Sequence, residues 1–494
     1  MTAGPPTLGE RTRETLEQSL EVYRSSEHEP RLREVLVRLD EPLRIALAGR
    51  VKAGKSTLLN ALVGDRLAPT DAGECTRVVT WFRDGHTYEV TLHPREGEPR
   101  QAPFRRDGGA IEVDLGGLSP EQVDQLVITW PSRQLRTATL IDTPGIGSLS
   151  AQVARRTWEL LATEDEETPA DAVVYLLKHL HATDLEFLRA FHDTEVSRPN
   201  PVNAIGVLSR ADEIGVGRID AMASARKIAA RLADDPTVRR VVQTVVPVAG
   251  LLAETAATLT ETEVAHLRRL AVLPAREVEE LLLSTDRFVN TRPEVGLTDL
   301  ERMHLLGRFG LFGIRLGSAL LRRRPGTTAT QLAHELLRRS GLEDLREVLG
   351  SLFLQRRDVL KSRSALLAID ALVRHDPRHG SDKLAAQVEE IVAGAHPFRE
   401  LAVLSSLRSG MLGGKPEQVA ELERLVGGTG DAAHQRLGLP ADATPDELRA
   451  AAVDALQRWQ RRSEHPLTGY HLSVAARVAV RSCEGLLAVL FASS

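Results

Sequence analysis

One short stretch constrains the fold of this chain more than any other. Residues 44–57 read RIALAGRVKAGKST, in which an apolar run is followed by the pattern G-x-x-x-x-G-K-[ST], and the apolar sequence LLNALVG comes next. This order predicts a strand, a phosphate-binding loop and a helix. Backbone N–H groups of such a loop and the helix N-terminus can surround a polyphosphate. The alternative is a glycine-rich turn without a ligand, but the flanking strand and helix favour the phosphate site.

Each side chain of this loop suggests a role. We expect Lys55 to contact the β- and γ-phosphates and the Ser56 hydroxyl to bind Mg²⁺. The other loop positions expected to contact nucleotide are Gly49, Val51, Lys52, Ala53, Gly54 and Thr57. The loop alone indicates a nucleotide but does not say which one.

A second phosphate motif follows further along the chain. Residues 139–145 read TLIDTPG, an apolar strand that ends in an acid and a glycine. We expect the Asp142 carboxylate to hold Mg²⁺ through water and the Gly145 N–H to face the γ-phosphate. The two motifs together predict a nucleoside triphosphate bound with magnesium.

The base is predicted from a third motif. Residues 203–212 read NAIGVLSRAD, another apolar strand, which ends in Ser209-Arg210-Ala211-Asp212. A carboxylate at Asp212 can accept hydrogen bonds from guanine N1–H and N2–H₂, a pair of donors that adenine lacks. Arg210 could stack on the purine, and Ala249, in the sequence VPVAG, is expected to contact the base. The alternative for Asp212 is an ordinary surface acid that follows a strand.

A switch threonine should lie between the first two motifs. Thr76 is our candidate for closing on Mg²⁺ and the γ-phosphate, with Thr70 and Thr80 as competitors. A segment held by the γ-phosphate and released after hydrolysis would convert the reaction into a change of shape.

The pattern of strands and helices predicts an α/β fold followed by an all-α region. Short β-rich segments between 76 and 141 and the buried strands at 171–178, 203–208 and 241–248 predict a mostly parallel sheet with helices on both faces. Beyond about residue 256 the strand signals end. We therefore expect N-terminal helices (1–40), a nucleotide domain (41–255), neck helices (256–341) and a helical stalk (342–494) that the N-terminal helices join.

Two details of the helical region are specific enough to check. Apolar spacing over residues 342–373 predicts one helix about 45 Å long at 1.5 Å per residue. Residues 468–491 are apolar nearly all round, which predicts a helix buried within a bundle.

Composition narrows the function classes. A net charge of −5 and the lack of a basic tail speak against a nucleic-acid partner, and two cysteines are too few for a disulfide framework. Residues 1–18 lack a signal-peptide core, and no run of about 18 apolar residues predicts a transmembrane helix. We expect a cytoplasmic location, with any membrane contact peripheral to the inner face of the cell membrane.

Taken together, these motifs resemble those of a known family. The stretch GRVKAGKSTLLNALVG, the sequence CTR at 75–77, DTPG and the variant SRAD are similar to the bacterial dynamin-like large GTPases, above all to the actinobacterial, isoniazid-inducible type. The resemblance implies GTP binding and hydrolysis, nucleotide-dependent pairing of GTPase domains, and a helical stalk that binds or remodels membrane. It also implies a homo-oligomer or a heteromer with a sister protein. Two other readings stay open: a nucleotide-gated scaffold with negligible hydrolysis, and a ribosome- or RNA-associated assembly GTPase.

The loop departs from the family pattern at two positions. Val51 and Lys52 stand where dynamins carry a catalytic glutamine and a serine that helps hold a monovalent cation. We expect the Lys52 ammonium to replace that cation, with a lysine that points to solvent as the alternative. Our catalytic set is therefore Lys55, Thr76, Gly145 and Lys52.

Three segments suggest partner surfaces. Residues 309–324, FGLFGIRLGSALLRRR, and residues 409–415, SGMLGGK, combine apolar and basic side chains that could contact an anionic membrane. The alternatives are a glycine-articulated hinge packed between the nucleotide domain and the stalk for the first segment, and a helix-end turn whose Met411 and Leu412 pack locally for the second. Residues 437–452 with His465-Pro466 are faintly similar to a J-domain, but a helix start capped by Thr444 is the simpler interpretation.

Overall fold

A nine-stranded sheet forms the centre of the computed structural model, which describes residues 6–69, 78–107, 110–145, 170–178, 184–185, 203–215, 217–290, 296–408 and 411–492. The described strands are β1 (Leu43–Gly49), β2 (Val79–Arg83), β3 (Glu89–Pro94), β4 (Arg100–Gln101), β5 (Phe104–Asp107), β6 (Ala110–Val113), β7 (Val123–Thr129), β8 (Ala138–Asp142), β9 (Ala172–Leu177), β10 (Ala204–Ser209) and β11 (Val245–Val248). Strands β5 and β6 form a separate hairpin.

The sheet has the order β11-β10-β9-β1-β8-β2-β7-β3-β4. Neighbours from β11 to β8 pair in parallel, whereas β2 runs antiparallel to β8, and β3 is antiparallel to both β7 and β4. Every residue of β1 is buried, as expected for a parallel strand covered on both faces. The predicted mostly parallel sheet is confirmed, with an extension on one side in which the parallel pair β2–β7 is flanked by antiparallel pairs.

Helices account for the rest of the described fold. They are α1 (Leu8–Val22), α2 (Glu29–Arg38), α3 (Lys55–Val63), α4 (Ala221–Asp234), α5 (Pro236–Arg239), α6 (Gly250–Ala257), α7 (Glu261–Val272), α8 (Ala275–Leu281), α9 (Thr285–Asn290), α10 (Asp299–Arg323), α11 (Ala329–Arg339), α12 (Leu342–Leu352), α13 (Arg357–His375), α14 (Ser381–Gly394), α15 (His396–Arg408), α16 (Pro416–Leu425), α17 (Ala433–Leu437), α18 (Pro445–Glu464) and α19 (Tyr470–Ala492). The predicted class, an α/β nucleotide domain with a large all-α region, is confirmed.

Both faces of the sheet are covered by helices because side chains alternate along each strand. Leu47 and Val174 point into a core shared with α3 and α12. Ala46 and Tyr175 point into the opposite core, which α4, α6, α7 and α10 complete. The sheet is thereby held from both sides, and its carboxyl edge is free for a site.

The N-terminal helices pack on the stalk. Leu16 of α1 and Leu32 of α2 share a core with Leu366 of α13 and Leu384 of α14. The Tyr23 hydroxyl donates a hydrogen bond to a carbonyl oxygen beyond α13, that of Asp376, at 2.8 Å. A second helical core joins α15, α16, α18 and α19 around Trp459, which is fully buried.

The prediction of a single helix over residues 342–373 is wrong. The described chain leaves α12 at Phe353 and makes a 3-10 turn, Leu354–Arg356, before α13 begins. Phe353 and Arg356 are buried, and the Arg356 guanidinium donates to the carbonyl oxygens of Val426 and Gly427. An inward-facing arginine and phenylalanine redirect the chain here, and the apolar periodicity of the sequence does not reveal such a bend.

The last helix is also less buried than predicted. Ala476 and Cys483 of α19 lie in the core, but Val489 and Phe491 are 65% and 63% exposed. Apolar composition indicates that a helix can be buried, but it does not supply a neighbour to cover every face.

Segment 309–324 is buried along its apolar part and reaches the surface at Arg323 and Arg324. Phe309, Phe312 and Leu316 are buried, so these apolar side chains pack inside the molecule, as the packed alternative predicts, and do not form a membrane-facing surface. Gly310 breaks the helix internally with φ 60° and ψ 177°, a conformation that only glycine adopts readily. No helix within the described residues is both long and apolar enough to cross a membrane.

Candidate nucleotide-binding site

The phosphate-binding loop follows the central strand β1 and begins α3. Gly49 has φ 145° and Gly54 has φ 92°, both outside the range that other residues favour. A Cβ at Gly49 would lie 2.5 Å from the carbonyl oxygen of Leu176. Glycine is therefore required where this loop leaves the sheet, as the motif predicts.

Lys55 is the first residue of α3, and its side chain points back into the phosphate-binding loop. Its ammonium donates to the carbonyl oxygens of Gly49 and Arg50, each at 3.2 Å. Burial lowers the pKa of Lys55, and the nearby Asp142 carboxylate opposes that shift. Within the described residues the hydrogen bonds of this buried ammonium go to carbonyl oxygens, and phosphate oxygens would satisfy its charge more fully.

Ser56 and Asp142 meet where β1 and β8 end side by side. The Ser56 hydroxyl donates to Asp142 Oδ2 at 2.7 Å, while Oδ1 is buried and has no hydrogen-bond partner within the described structure. Burial raises the pKa of Asp142, and Lys55 and Ser56 oppose the shift. A hydroxyl beside a carboxylate with an unsatisfied oxygen is a donor set that fits Mg²⁺. The described residues contain no group of three or more His, Cys, Asp or Glu side chains that could hold a metal ion.

Gly145 closes this end of the site. A Cβ at Gly145 would lie 2.6 Å from Val51 Cγ2 and 2.7 Å from Val51 Cα, so only glycine fits against the loop. The Thr143 hydroxyl donates to the Leu47 carbonyl at 2.8 Å and fixes the chain between Asp142 and Gly145. The structure thus brings the second phosphate motif against the first.

A cavity of about 160 Å³ lies next to the loop, at the ends of β10 and β11. Ala53, Gly54 and Thr57 line one side, and Ser209 and Asp212 line the other. Burial raises the pKa of Asp212 to about 6. The remaining lining consists mostly of apolar side chains, which suit the faces of a purine ring.

Arg210 connects the cavity to the phosphate loop. It has φ 51°, and its guanidinium donates to the Lys52 carbonyl at 3.0 Å and to Glu213 Oε1 at 2.7 Å. Lys178 holds the other oxygen of Glu213 at 2.6 Å. The Ser209 hydroxyl donates to the carbonyl of Leu177 at 3.3 Å. Arg210 therefore lies at the mouth of the cavity and orders the loop backbone as well.

The threonine predictions have different outcomes. Thr76 and Thr70 lie outside the described residues, as does Cys75. Thr80 lies on β2 directly opposite Asp142 in the antiparallel ladder, but its hydroxyl donates to the carbonyl of Val78 at 3.2 Å. Thr80 is thus a member of the sheet.

Ala249 does not line the cavity. It is fully buried, and its N–H donates to the Ser340 carbonyl at 2.8 Å. The residues on either side of it, Val248 and Gly250, do line the cavity. Sequence reasoning missed Leu58, Leu176, Val207, Glu213, Val248, Gly250 and Leu251 among the lining residues. Gly250, two residues after the buried strand β11, was the available signal.

These features define a P-loop nucleotide-binding domain joined to a large helical body. Residues 45–210 match the model of the Dynamin family. Over 491 residues the chain is 43% identical to the isoniazid-induced protein IniC of Mycobacterium tuberculosis. This match covers 98% of this chain and 99% of that protein. The chain therefore belongs to the dynamin family of GTPases and is of the bacterial, isoniazid-induced type.

More distant relatives match over shorter parts. The chain is 32% identical over 121 residues to the bacterial dynamin-like protein of Nostoc punctiforme, covering 22% of this chain and 17% of the relative. It is 28% identical over 180 residues to dynamin-like protein A of Bacillus subtilis, and this match covers 35% of this chain and 14% of the relative. A solved structure described as an oligomerised bacterial dynamin pair aligns with 98% of this chain and 77% of its own, at 14% identity and a TM-score of 0.30.

Proposed function

We propose that this protein binds GTP with Mg²⁺ and hydrolyses it to GDP and phosphate. The observation that carries the proposal is the placement of three motifs at one edge of the sheet. The Ser56–Asp142 pair lies beside the Lys55 ammonium, and the Asp212 cavity opens on the other side of the same loop. Family membership supports the same chemistry.

Each residue has a distinct part in this proposal. Lys55 neutralises charge that develops on the β- and γ-phosphates, and the Gly145 N–H detects the γ-phosphate. Ser56 and Asp142 would hold Mg²⁺, Asp142 through its water shell, and the ion would neutralise phosphate charge. Thr76 is the proposed switch residue that completes the ion's shell.

Asp212 is the proposed base-reading residue. A carboxylate in the cavity accepts two hydrogen bonds from guanine, and burial, which removes water from the carboxylate, raises its pKa. An adenine offers no donor pair, so the buried acid would stay unsatisfied and ATP would be rejected. Ser209, Arg210 and the loop residues Ala53, Gly54 and Thr57 complete the proposed base and sugar contacts.

Lys52 is proposed to act in place of a monovalent cation. It has φ 62°, and Arg210 holds its carbonyl at 3.0 Å, so its backbone is fixed at the phosphate loop while its side chain is exposed. An ammonium there would stabilise charge in the transition state.

This role predicts that GTP turnover by the wild type is the same in potassium and sodium buffers. Lys52→Ala should lower kcat about tenfold, less than the ~10²–10³-fold loss for a buried, preorganised group, because the exposed Lys52 ammonium is screened by solvent and salt. Potassium should restore part of the loss. Turnover rates in the two salts measure both effects, with Lys227→Ala on the surface of α4 as the matched control. A wild type that requires potassium would contradict the role of Lys52.

Nucleotide state is proposed to move the helical stalk. Asp171, directly before β9, is bound by Arg38 of α2 at 3.1 Å and lies 3.7 Å from the Lys361 ammonium of α13. All three side chains are almost fully buried. The other end of β9 reaches the base cavity at Leu176. One strand therefore connects the site with the helices of the stalk.

A second contact between the site and the helices lies at the Gly310 kink. A Cβ at Gly310 would lie 3.8 Å from Asp212 Oδ2 and 3.7 Å from Leu251 Cδ2. The kink of α10 therefore passes directly behind the base-reading acid. If guanine binding shifts Asp212, the shift would displace α10 at its kink, and α10 would in turn displace the neck helices.

We further propose that the stalk movement serves peripheral membrane binding or remodelling, with GTPase domains that pair across the nucleotide. The partner is a second copy or a sister dynamin-like protein, and no nucleic acid is involved. Of segment 409–415, residues 409 and 410 lie outside the described chain, Met411 is 51% exposed and Leu412 is buried. Met411 and Lys415 are thus the side chains of this segment that could reach an anionic surface.

The test is GTP turnover in Mg²⁺ with and without vesicles that contain anionic lipid, together with co-sedimentation of protein and vesicles. We expect magnesium-dependent GTP hydrolysis, no comparable ATP hydrolysis, and more sedimented protein with GTP than with GDP. Binding without turnover would favour a nucleotide-gated scaffold. Turnover with no vesicle binding under any nucleotide would reject the membrane part and leave the GTPase part intact.

A further inference from the structure

A large groove in the second helical core has no role in the nucleotide chemistry. It has a volume of about 840 Å³ and lies between α15 and α19, far along the chain from the phosphate loop. Buried Val403 and Val478 form part of its apolar surface. On its rim Tyr470 and Val474 are 77% and 41% exposed, and their spacing of four residues places them on one face of α19. Exposed apolar side chains around a groove mark an interaction site.

The groove is strongly basic. Arg399 of α15 and Arg477 and Arg481 of α19 line it, together with His396 and His471, and no acidic residue is among the described lining. Arg477 has neither a hydrogen bond nor an ion pair within the described structure.

The other two arginines are only weakly engaged. The Arg399 side chain donates to the backbone carbonyl of Ala393 at 2.8 Å. Arg481 pairs with Glu484 at 3.3 Å, and both side chains are largely exposed, so the pair contributes little. Three guanidinium groups are thus available to an anionic occupant.

The shape of the groove suits a helix. Between His396 and Ser406, α15 advances about 15 Å, and between Tyr470 and Arg481, α19 advances about 16 Å, at 1.5 Å per residue. Both lengths correspond to about three helical turns. Small residues on the facing helices, Ala402 and Ala475, allow a third helix to approach at the usual interaxial distance of about 8–10 Å.

We propose that this groove binds an acidic amphipathic helix of a partner protein. The partner's apolar stripe would contact Val403, Val474 and Val478, and its flanking carboxylates would pair with the guanidinium groups of Arg399 and Arg477. Recognition of this kind uses apolar anchors at i, i+3, i+4 and i+7. A bilayer surface fits less well, because Val403 and Val478 are buried and only an occupant that enters the groove can reach them.

The probe is a fluorescently labelled synthetic helix of about 14 residues, four turns long, with leucines on one face and glutamates beside them. Binding to the full chain is measured by fluorescence anisotropy. Two control peptides have the same length: one scrambles the leucines so that they share no face, and the other replaces every glutamate by lysine. The measurement does not require GTP, so its outcome is independent of the proposed GTPase activity.

The decisive variant is Arg399→Glu combined with Arg477→Glu, which reverses two exposed charges without touching the core. We expect it to weaken binding of the acidic peptide by at least about tenfold, because attraction becomes repulsion. Arg461→Glu, an exposed arginine of α18 that also donates to a backbone carbonyl, is the matched control and should bind like the wild type. Thermal unfolding of both variants should match that of the wild type, which verifies folding without relying on the proposed GTPase activity.

Three results would overturn the proposal. The first is no saturable binding of the acidic peptide, and the second is equal binding of the scrambled peptide. The third is unchanged binding by the double variant. If the double variant instead loses co-sedimentation with anionic vesicles while the peptide never binds, the groove is a lipid site and the partner-helix proposal is wrong.

Discussion

Lys55→Ala is expected to abolish GTP turnover. The Lys55 ammonium is buried between the carbonyls of Gly49 and Arg50 and is positioned to meet the charge that develops on the transferred phosphoryl group. Loss of one such preorganised cation costs about 10³-fold in kcat. Phosphate release at saturating GTP and Mg²⁺ measures the effect.

The design must separate lost chemistry from lost folding. Lys227→Ala removes an exposed lysine of α4 and should keep wild-type turnover. Thermal unfolding of Lys55→Ala should be no worse than that of the wild type, because its buried charge, whose pKa is lowered by burial, is costly to the empty protein. If Lys55→Ala retains more than about a tenth of the wild-type rate, Lys55 is not the main phosphate cation.

The phosphate loop could be predicted from sequence because its geometry is local. Gly49 and Gly54 have φ values that other residues avoid, so the motif specifies its own backbone. Asp142 follows for a related reason. Parallel strands end at the same edge, and the pairing of Leu47 with Asp142 places the acid beside the loop.

The features that sequence reasoning missed depend on contacts between distant parts of the chain. The Ala249 N–H is taken by the carbonyl of Ser340, ninety-one residues later. The bend after α12 depends on Arg356 reaching Val426 and Gly427. The periodicity of apolar residues indicates which face of a helix is apolar. It does not indicate which element packs against that face, or where the helix must bend to pack against it.

The Gly310 kink is a further case in which the sequence indicated a local feature but not the contact that the feature makes. Its residue type was visible, and glycines within an apolar segment suggested a hinge. Its position behind Asp212 was not visible, because it arises from packing of α10 against the loop that follows β10. The apolar side chains of segment 309–324 thus resembled a membrane surface in sequence, whereas in the structure Phe309, Phe312 and Leu316 pack inside the molecule between the base cavity and the neck.

The proposed base contact also predicts a dependence on pH. Burial raises the pKa of Asp212 to about 6. Guanine donors stabilise the carboxylate, so binding requires the ionised form and competes with protonation. GTP affinity should therefore be constant above about pH 7 and fall by up to about tenfold per pH unit below pH 6. Asp212→Asn should remove this dependence.

Asp212→Asn should change which nucleotide binds. The asparagine amide can donate to a carbonyl at C2 of the purine but cannot accept both guanine donors, so GTP affinity should fall about 100-fold. Xanthosine triphosphate carries a C2 carbonyl and an N1–H, and it should bind the variant better than GTP does. Competition against a fluorescent nucleotide measures both affinities, with Asp220→Asn, an exposed acid near the start of α4, as the matched control. A variant that keeps its preference for GTP would show that the base is read elsewhere, since the buried carboxylate would then have no part in selecting guanine.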